Sequence, residues 1–291
     1  MNPAHLLYIL LIVTIWGVNF VSIKVALLEM PPILLCCVRF FLTSLPAILF
    51  VKFPKTAIWK VALYGLNTFA IQFTLLFIGM QAGVSAGLAS LLLQTQVFFT
   101  ILLAILLLGE KINRWQIMGA LISFSGIALI GINLSGTITL LGLFLILCAA
   151  CCWGMGTIIA KSIGRIDTVS LVVWGSFFAW PPLFLMSCWL DGAGTVFYTL
   201  RHLSWLSIGS AGYIAYFATV LTFGIWNWLV SRYPLALLTP FTFLIPIVGT
   251  GSSMLLLGEA LESWKIYAGL LVIGGLFVNL IGSRRLQKST L

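Results

Sequence analysis

The sequence predicts an all-α membrane protein with ten transmembrane helices, arranged as two inverted five-helix repeats with both termini in the cytoplasm. Three observations support this prediction: composition, the spacing of apolar segments, and a repeated motif. Of 291 residues, 62% are hydrophobic and only 7% charged, and the mean hydropathy is +1.17, whereas soluble domains carry about 25% charged residues. A soluble fold is therefore excluded.

Apolar windows of about 20 residues, each long enough to cross a hydrocarbon core roughly 30 Å thick, recur along the chain. The N-terminal stretch MNPAHLLYILLIVTIWGVNF has no basic n-region and no small-residue cleavage site, and its apolar part is too long for a signal peptide, so we interpret it as a retained first span. The ten predicted spans cover residues 4–25, 31–51, 58–80, 86–108, 115–133, 140–160, 170–190, 204–230, 236–257 and 265–283. The connections are short, and we expect no soluble domain.

The loop charges predict the orientation. The net charge is +9, but the basic residues are dispersed over the loops and form no stripe, so nucleic acid is not an expected partner. If the N-terminus is cytoplasmic, eleven basic residues lie inside: Lys52, Lys55, Lys60, Lys111, Arg114, Lys161, Arg165, Arg232, Arg284, Arg285 and Lys288. Only three lie outside: Lys24, Arg201 and Lys265. The positive-inside rule therefore places both termini in the cytoplasm.

Two motifs recur in the halves of the chain. The segments WGVNFVSIK (16–24) and WGMGTIIAK (153–161) share one pattern, and LLLGEKINRW (106–115) and LLLGEALESW (255–264) share six identical residues. These matches define a first unit, residues 1–136, and a second unit, residues 137–291, with five spans each. Because five is odd, the second unit must be inverted in the membrane, which is typical of transporters that work by alternating access.

Reactive side chains are scarce at membrane depth. All six acidic residues fall in or beside loops, and the two histidines, His5 and His202, lie near span ends. A membrane enzyme would need acids or histidines at depth, and a nucleotide-hydrolysing chain would need a phosphate loop. We therefore expect no catalytic residues, no cofactor and no metal site. Cys148, Cys151 and Cys152 share one helix face, which favours close helix packing over metal binding.

Arg39 is the one basic residue within a predicted span far from its ends. It lies about 12 Å from the outer end of the second span. A guanidinium facing lipid at that depth costs at least ~2.5 kcal/mol on insertion scales, so Arg39 should face the bundle interior. Two interpretations remain open: it binds a substrate carboxylate by a bidentate contact, or it is held permanently by helix-end carbonyls.

Neutral polar and aromatic residues at similar depth predict a pocket around Arg39. Tyr64, Thr68 and Gln72 are spaced four apart on the third span, and Tyr216, Thr219, Trp226 and Asn227 fall within one arc of the eighth. Packing or an interfacial belt would also explain individual aromatics. The predicted substrate-binding residues are Arg39, Trp16, Asn19, Tyr64, Gln72, Gln94, Gln96, Trp153, Tyr216, Trp226 and Asn227. Such a pocket suits a small neutral or zwitterionic solute with a carboxylate.

Charged residues at span ends have structural explanations. Glu110 and Glu259, repeated in the two GE motifs, are expected to interact with the N-terminus of the following helix. Lys24 and Lys161 are expected to extend toward lipid head groups.

The chain resembles the drug/metabolite transporter superfamily, in its ten-span EamA branch, over nearly its whole length. The matching stretches are WGVNFVSIKVAL (16–27), MPPILLCCVRF (30–40), AIQFTLLF (70–77), SAGLASLLLQTQVFFT (85–100), GE (109–110), FGIWNWLVSRYP (223–234) and LLLGEALESW (255–264). The second unit departs more from the branch, around LTPFTFLIP.

This resemblance implies a multi-pass carrier of the cytoplasmic (inner) membrane that exports small amino acids or related metabolites, with cysteine-pathway compounds one suggestion. It also implies that Arg39, Gln72, Gln94 and Gln96, which fall in matching stretches, lie near the substrate. The expected partners are a small carboxylate-bearing solute and the lipid bilayer. Alternatives are a broader drug or metabolite carrier, an importer, or a passive facilitator or channel without proton coupling. The sequence leaves the oligomeric state open.

Overall fold

The structure is a computed structural model that describes residues 3–110, 112–133, 139–164, 167–230, 232–233 and 235–289. Side chains are described for these residues except 3, 227, 235–237, 239 and 283–289. The described residues form helices joined by short loops, with no strand among them. Ten of the helical segments are long and apolar enough to cross a membrane, as the sequence predicts.

The ten spans follow the predicted segments closely. Their bounds are Ala4–Ala26, Pro32–Leu49, Ile58–Gln81, Ala86–Leu108, Arg114–Ile132, Leu140–Ile163, Thr168–Arg201, Trp205–Val230, Pro240–Leu257 and Ser263–Gly282. The seventh is longer than the predicted 170–190, because a π-helical turn at Cys188–Gly192 joins its main helix to a further helix, Ala193–Arg201.

Besides the seventh, four spans are interrupted: the third, the fourth, the eighth and the ninth. The third consists of α-helix Ile58–Gly65, a π-helical segment Leu66–Ile71 and α-helix Gln72–Gln81. The eighth has the same order, with α-helices Trp205–Gly212 and Thr222–Val230 around a π-helical segment Tyr213–Leu221. Such segments widen the helix locally and are frequent at functional sites.

The fourth and ninth spans are also divided. In the fourth, a 3₁₀ turn Leu93–Thr95 separates Ala86–Leu92 from Gln96–Leu108. In the ninth, helices Leu235–Thr242 and Ile245–Leu257 meet at a turn. Gln96–Leu108 and Ile245–Leu257 are both 13 residues long, and each ends on a left-handed glycine, Gly109 or Gly258, with φ of 66°.

The spans pack in specific pairs. The fifth span packs on the tenth, the second on the seventh, and the first on the ninth. The fourth span packs on both the sixth and the ninth, and the third on both the sixth and the seventh. The eighth span packs on the first and the second. Small residues allow the closest approaches: a Cβ added at Gly119 would overlap the carbonyl of Gly275, and one at Gly275 would overlap that of Gly119. Close backbone contact of this kind is typical of membrane helices.

Charged residues at the span ends tie different helices together. The Lys24 ammonium donates to the carbonyl of Met80 at 3.0 Å, and Lys161 forms a 2.6 Å ion pair with Glu110. The Glu259 carboxylate accepts the N–H groups of Ala86 and Gly87, at 2.9 and 3.3 Å. Glu259 therefore has the expected helix-end role, but at the start of the fourth span and not of the tenth, while Glu110 pairs with Lys161 of the sixth span.

Candidate functional site: a central cavity around Arg39

A cavity of about 250 Å³ lies where the interrupted third, fourth, eighth and ninth spans meet. Its lining comes from the first, second, third, fourth, sixth, eighth and ninth spans, and all four interrupted spans contribute residues at or beside their interruptions. A larger groove, about 340 Å³, runs between the fourth, ninth and tenth spans, but its lining is largely apolar. The central cavity gathers more of the buried polar side chains, so it is the candidate site.

Arg39 lies in this cavity with only 3% of its surface exposed. It is seven residues into helix Pro32–Ser44, which corresponds to a depth of about 11 Å. The helix is straightforward to explain: Pro32 occupies the first position, where its missing N–H has no cost, and the following residues are apolar. The prediction that Arg39 faces the bundle interior is confirmed.

The guanidinium group is only partly hydrogen-bonded. Its Nη2 donates to the hydroxyl of Thr219 at 3.0 Å, while that hydroxyl donates its own proton to the carbonyl of Ile214 at 2.9 Å. Nε and Nη1 are buried and have no partner among the described residues. The guanidinium carbon lies 4.0 Å from the ring centre of Phe73, so a cation–π contact holds one face of the group.

These contacts bear on the interpretation that helix-end carbonyls hold Arg39. No helix-end carbonyl accepts a hydrogen bond from the guanidinium within the described part of the chain. A buried donor without a partner costs about 1–3 kcal/mol, and more when it is charged. The arrangement leaves N–H groups free to bind an anion.

Eight of the eleven predicted site residues line the cavity together. They are Arg39, Trp16, Asn19, Gln72, Gln94, Gln96, Trp153 and Trp226. Trp16 and Trp226 form an aromatic wall, with ring centres 5.7 Å apart, and the Trp16 indole donates to the carbonyl of Ala218 at 3.2 Å.

The four polar amides differ in their bonding. Gln94 donates through Nε2 to the carbonyl of Thr242 at 3.2 Å, which joins the breaks of the fourth and ninth spans. Asn19 Oδ1 and Gln72 Oε1 are buried and accept no hydrogen bond from any residue that the structure describes. Gln96 is half-buried at the start of the second half of its span. The cavity therefore holds both unused donors and unused acceptors.

The other three predicted residues are not in the lining. Tyr64 packs against Phe69, with ring centres 5.4 Å apart, and Tyr216 is 41% exposed on the outer surface of the bundle. The prediction that Tyr216 and Thr219 face the same way assumes the rotation per residue of an α-helix. Both residues lie in the π-helical segment, where the rotation per residue is smaller, so their side chains point in different directions. The side chain of Asn227 lies outside the described residues.

Several lining residues were not among the predicted ones. Phe73 and Thr219 contact the guanidinium, and Phe20, Phe69, Phe223 and Thr242 also line the cavity. Gln72 and Thr219 each lie seven residues after the glycine that ends an eight-residue helix. This shared position is a signal that a comparison of the two units could use.

The electrostatics of the cavity are set by Arg39. Its described lining contains no aspartate or glutamate, and the two ion pairs recorded among the described residues, Lys161–Glu110 and Lys265–Glu262, lie at helix ends. In a low-dielectric interior, a positive charge without a counterion attracts an anionic group strongly. Chemically, the site is suited to bind a small anion beside neutral hydrogen-bonding groups.

Comparisons with known proteins agree with this architecture. The family model of EamA-like transporters matches residues 4–132 and 140–281. The chain is 40% identical over 281 residues to a probable amino-acid metabolite efflux pump of Escherichia coli K12, covering 94% of both chains. It is 24% identical to an uncharacterized inner membrane transporter, YedA, of the same organism, covering 91% of this chain and 87% of YedA.

A solved crystal structure shares the fold, with a TM-score of 0.61 and 15% identity, covering 97% of this chain and all of the other. Together with the ten spans, the bacterial relatives place the protein in the inner membrane as a multi-pass transporter. The chain belongs to the EamA-like transporter family.

Proposed function

We propose that this protein exports small amino acids or related carboxylate-bearing metabolites across the inner membrane by alternating access. The observation that carries the proposal is the buried guanidinium of Arg39, whose Nε and Nη1 have no partner among the described residues. A substrate carboxylate would accept hydrogen bonds from these groups and neutralise the charge. Bidentate pairs of this kind are among the strongest hydrogen bonds in proteins.

The other seven lining residues named from the sequence would complete the substrate site. Gln72, Gln94, Gln96 and Asn19 would bond the remaining polar groups, and Trp16, Trp153 and Trp226 would form aromatic walls. A cavity of about 250 Å³ fits a solute of amino-acid size and is smaller than most sites for drug-sized ligands.

An inverted repeat of the units 1–136 and 137–291 is supported by the helix pairs. Exchanging the units maps the first span to the sixth, the second to the seventh, and so on. This exchange turns the pair of the first and ninth spans into that of the sixth and fourth. It turns the pair of the third and sixth into that of the eighth and first, and the pair of the third and seventh into that of the eighth and second. All of these pairs are in contact in the structure. The second–seventh, fourth–ninth and fifth–tenth pairs map onto themselves, as a two-fold axis requires. The family match in two segments also supports this division.

Contacts at single glycines support the same relation. A Cβ added at Gly17 would come within 3.0 Å of the backbone nitrogen of Gly249, and one at Gly154 within 2.9 Å of that of Thr100. Gly249 lies 149 residues after Thr100, the same offset as between the two GE motifs. Two equivalent packings around a central site are what alternating access needs.

The direction of transport and the force that drives it are inferred from different observations. Export follows from the description of the Escherichia coli relative as a probable efflux pump. The family resemblance suggests coupling to the proton gradient, but no aspartate or glutamate is found in the described lining of the cavity, so a facilitator that runs down the solute gradient is the alternative. Efflux that is independent of the proton gradient would support this alternative.

Efflux from sealed vesicles tests the proposal. Purified protein is reconstituted, the vesicles are loaded with labelled serine, cysteine or phenylalanine, and wild type is compared with Arg39→Gln. Arg201→Gln is the matched control, because Arg201 is exposed at the end of the seventh span. We expect saturable efflux that falls at least tenfold in Arg39→Gln and is unchanged in Arg201→Gln. Equal efflux in a monodisperse Arg39→Gln protein would overturn the carboxylate role, and no efflux of any amino acid would overturn the substrate class.

A further inference from the structure

Two amide side chains in the central cavity have hydrogen-bonding capacity that the protein does not use. Asn19 is 8% exposed and Gln72 is 1% exposed. Their oxygens, Oδ1 and Oε1, are buried without a partner among the described residues. Buried polar atoms are nearly always hydrogen-bonded in native proteins, so each exception needs an explanation.

A carboxylate on Arg39 does not satisfy these two side chains. An amide oxygen is an acceptor and needs a donor, whereas a carboxylate is itself only an acceptor. The substrate must therefore bring a donor as well. Among the described residues no hydrogen bond fixes either carboxamide, so its oxygen is available to a ligand.

The surroundings favour a cationic donor. Aromatic faces attract ammonium groups, and Trp16, Phe20 and Phe73 lie in the same lining as the two amides. With no carboxylate in the described lining, an ammonium would be held by neutral dipoles and ring faces, and Arg39 would repel a solute without a negative group. These conditions together select a zwitterion.

We propose that Asn19 and Gln72 form an ammonium subsite in the same cavity as the Arg39 carboxylate subsite, so that the protein selects amino acids over carboxylic acids of the same size without an amino group. This inference rests on the proposed function, since it assumes a carboxylate at Arg39. It adds to that function a second point of recognition and a selectivity that the carboxylate subsite alone does not give.

Competition in the vesicle assay tests the subsite. Efflux of labelled serine is measured with increasing unlabelled serine or 3-hydroxypropionate, its analogue without the amino group. In wild type we expect serine to compete at least about tenfold better, as for the loss of a hydrogen bond to a charged group. In Asn19→Leu and Gln72→Leu the ratio should fall toward one.

Two further variants make the result interpretable. Gln81→Leu changes an exposed glutamine at the end of the same span as Gln72, so the ratio should stay at its wild-type value. Gln72→Met nearly keeps the shape of the side chain but removes the acceptor oxygen, so it should lose the preference for serine as Gln72→Leu does, which separates a recognition role from a packing role.

Equal competition by the two solutes in wild type would overturn the subsite, as would leucine variants that weaken both solutes equally. Neither result would touch the carboxylate role, which depends on Arg39→Gln. Conversely, a serine preference that persists while Arg39→Gln transports normally would overturn the carboxylate role of Arg39 and leave the amide subsite in place.

Discussion

At the scale of single residues, two glycines at the ends of similar helices differ in their packing. Gly65 and Gly212 each end the eight-residue helix that precedes a π-helical segment. A Cβ added at Gly65 would overlap the carbonyl oxygen of Gly175 on the seventh span, whereas one added at Gly212 meets nothing within 4 Å. Glycine is therefore required at only one of the two positions.

Alanine substitution at both glycines tests this difference. Gly65→Ala should destabilise the protein by about 1–3 kcal/mol, because the third and seventh spans must separate. Gly212→Ala should be neutral or stabilising by up to about 1 kcal/mol, because alanine is the better helix former. The midpoints of thermal unfolding in detergent measure both effects, and equal shifts would contradict the packing described for Gly65.

Arg39 is predictable from the sequence because a charge at membrane depth must face the interior whatever the details of packing. Gln72, Gln94 and Trp16 follow from their depth and from matching stretches of the family. Phe73, Thr219 and the exposed Tyr216 depend on the helical register, and the π-helical segments change that register. Composition and hydropathy contain no signal for such a change.

At the scale of the elements, the ends of the spans are predictable and their interiors are not. The fourth span matches its predicted bounds of 86 and 108, because Ser85 caps its start and Gly109 ends it. Its 3₁₀ turn at Leu93–Thr95 has no breaker residue, in contrast to the ninth span with Pro240 and Pro246. Breaks of this kind are set by packing around the cavity.

The Glu259 contact is an element-scale feature with a measurable effect. Its carboxylate accepts two N–H groups at the start of the fourth span, and removal of a helix cap costs about 0.5–2 kcal/mol. Glu259→Ala should lower stability by about 1 kcal/mol. Glu262→Ala is the control, since its ion pair with Lys265 is partly solvent-exposed and exposed pairs contribute about 0–1 kcal/mol. A smaller effect at Glu259 than at Glu262 in unfolding midpoints would contradict the capping role.

At the scale of the whole molecule, the proposed inverted repeat makes a topological prediction. The two GE loops have related sequences but should lie on opposite sides of the membrane. Alkaline phosphatase, which is active only outside the cytoplasm, should be inactive when inserted after Asn113 and active after Leu261. A fluorescent protein fused to the C-terminus should fluoresce from the cytoplasm. A phosphatase that is active at both loops, or inactive at both, would contradict the inversion.

The central claim is that Arg39 recognises a substrate carboxylate, and binding of serine against serine methyl ester tests it most directly. The ester removes the carboxylate charge and keeps the ammonium, so wild type should bind it at least tenfold more weakly than serine. In Arg39→Gln the two affinities should become nearly equal, because the lost interaction is the same one. An ester that binds wild type as well as serine, or a difference that persists in Arg39→Gln, would contradict the account.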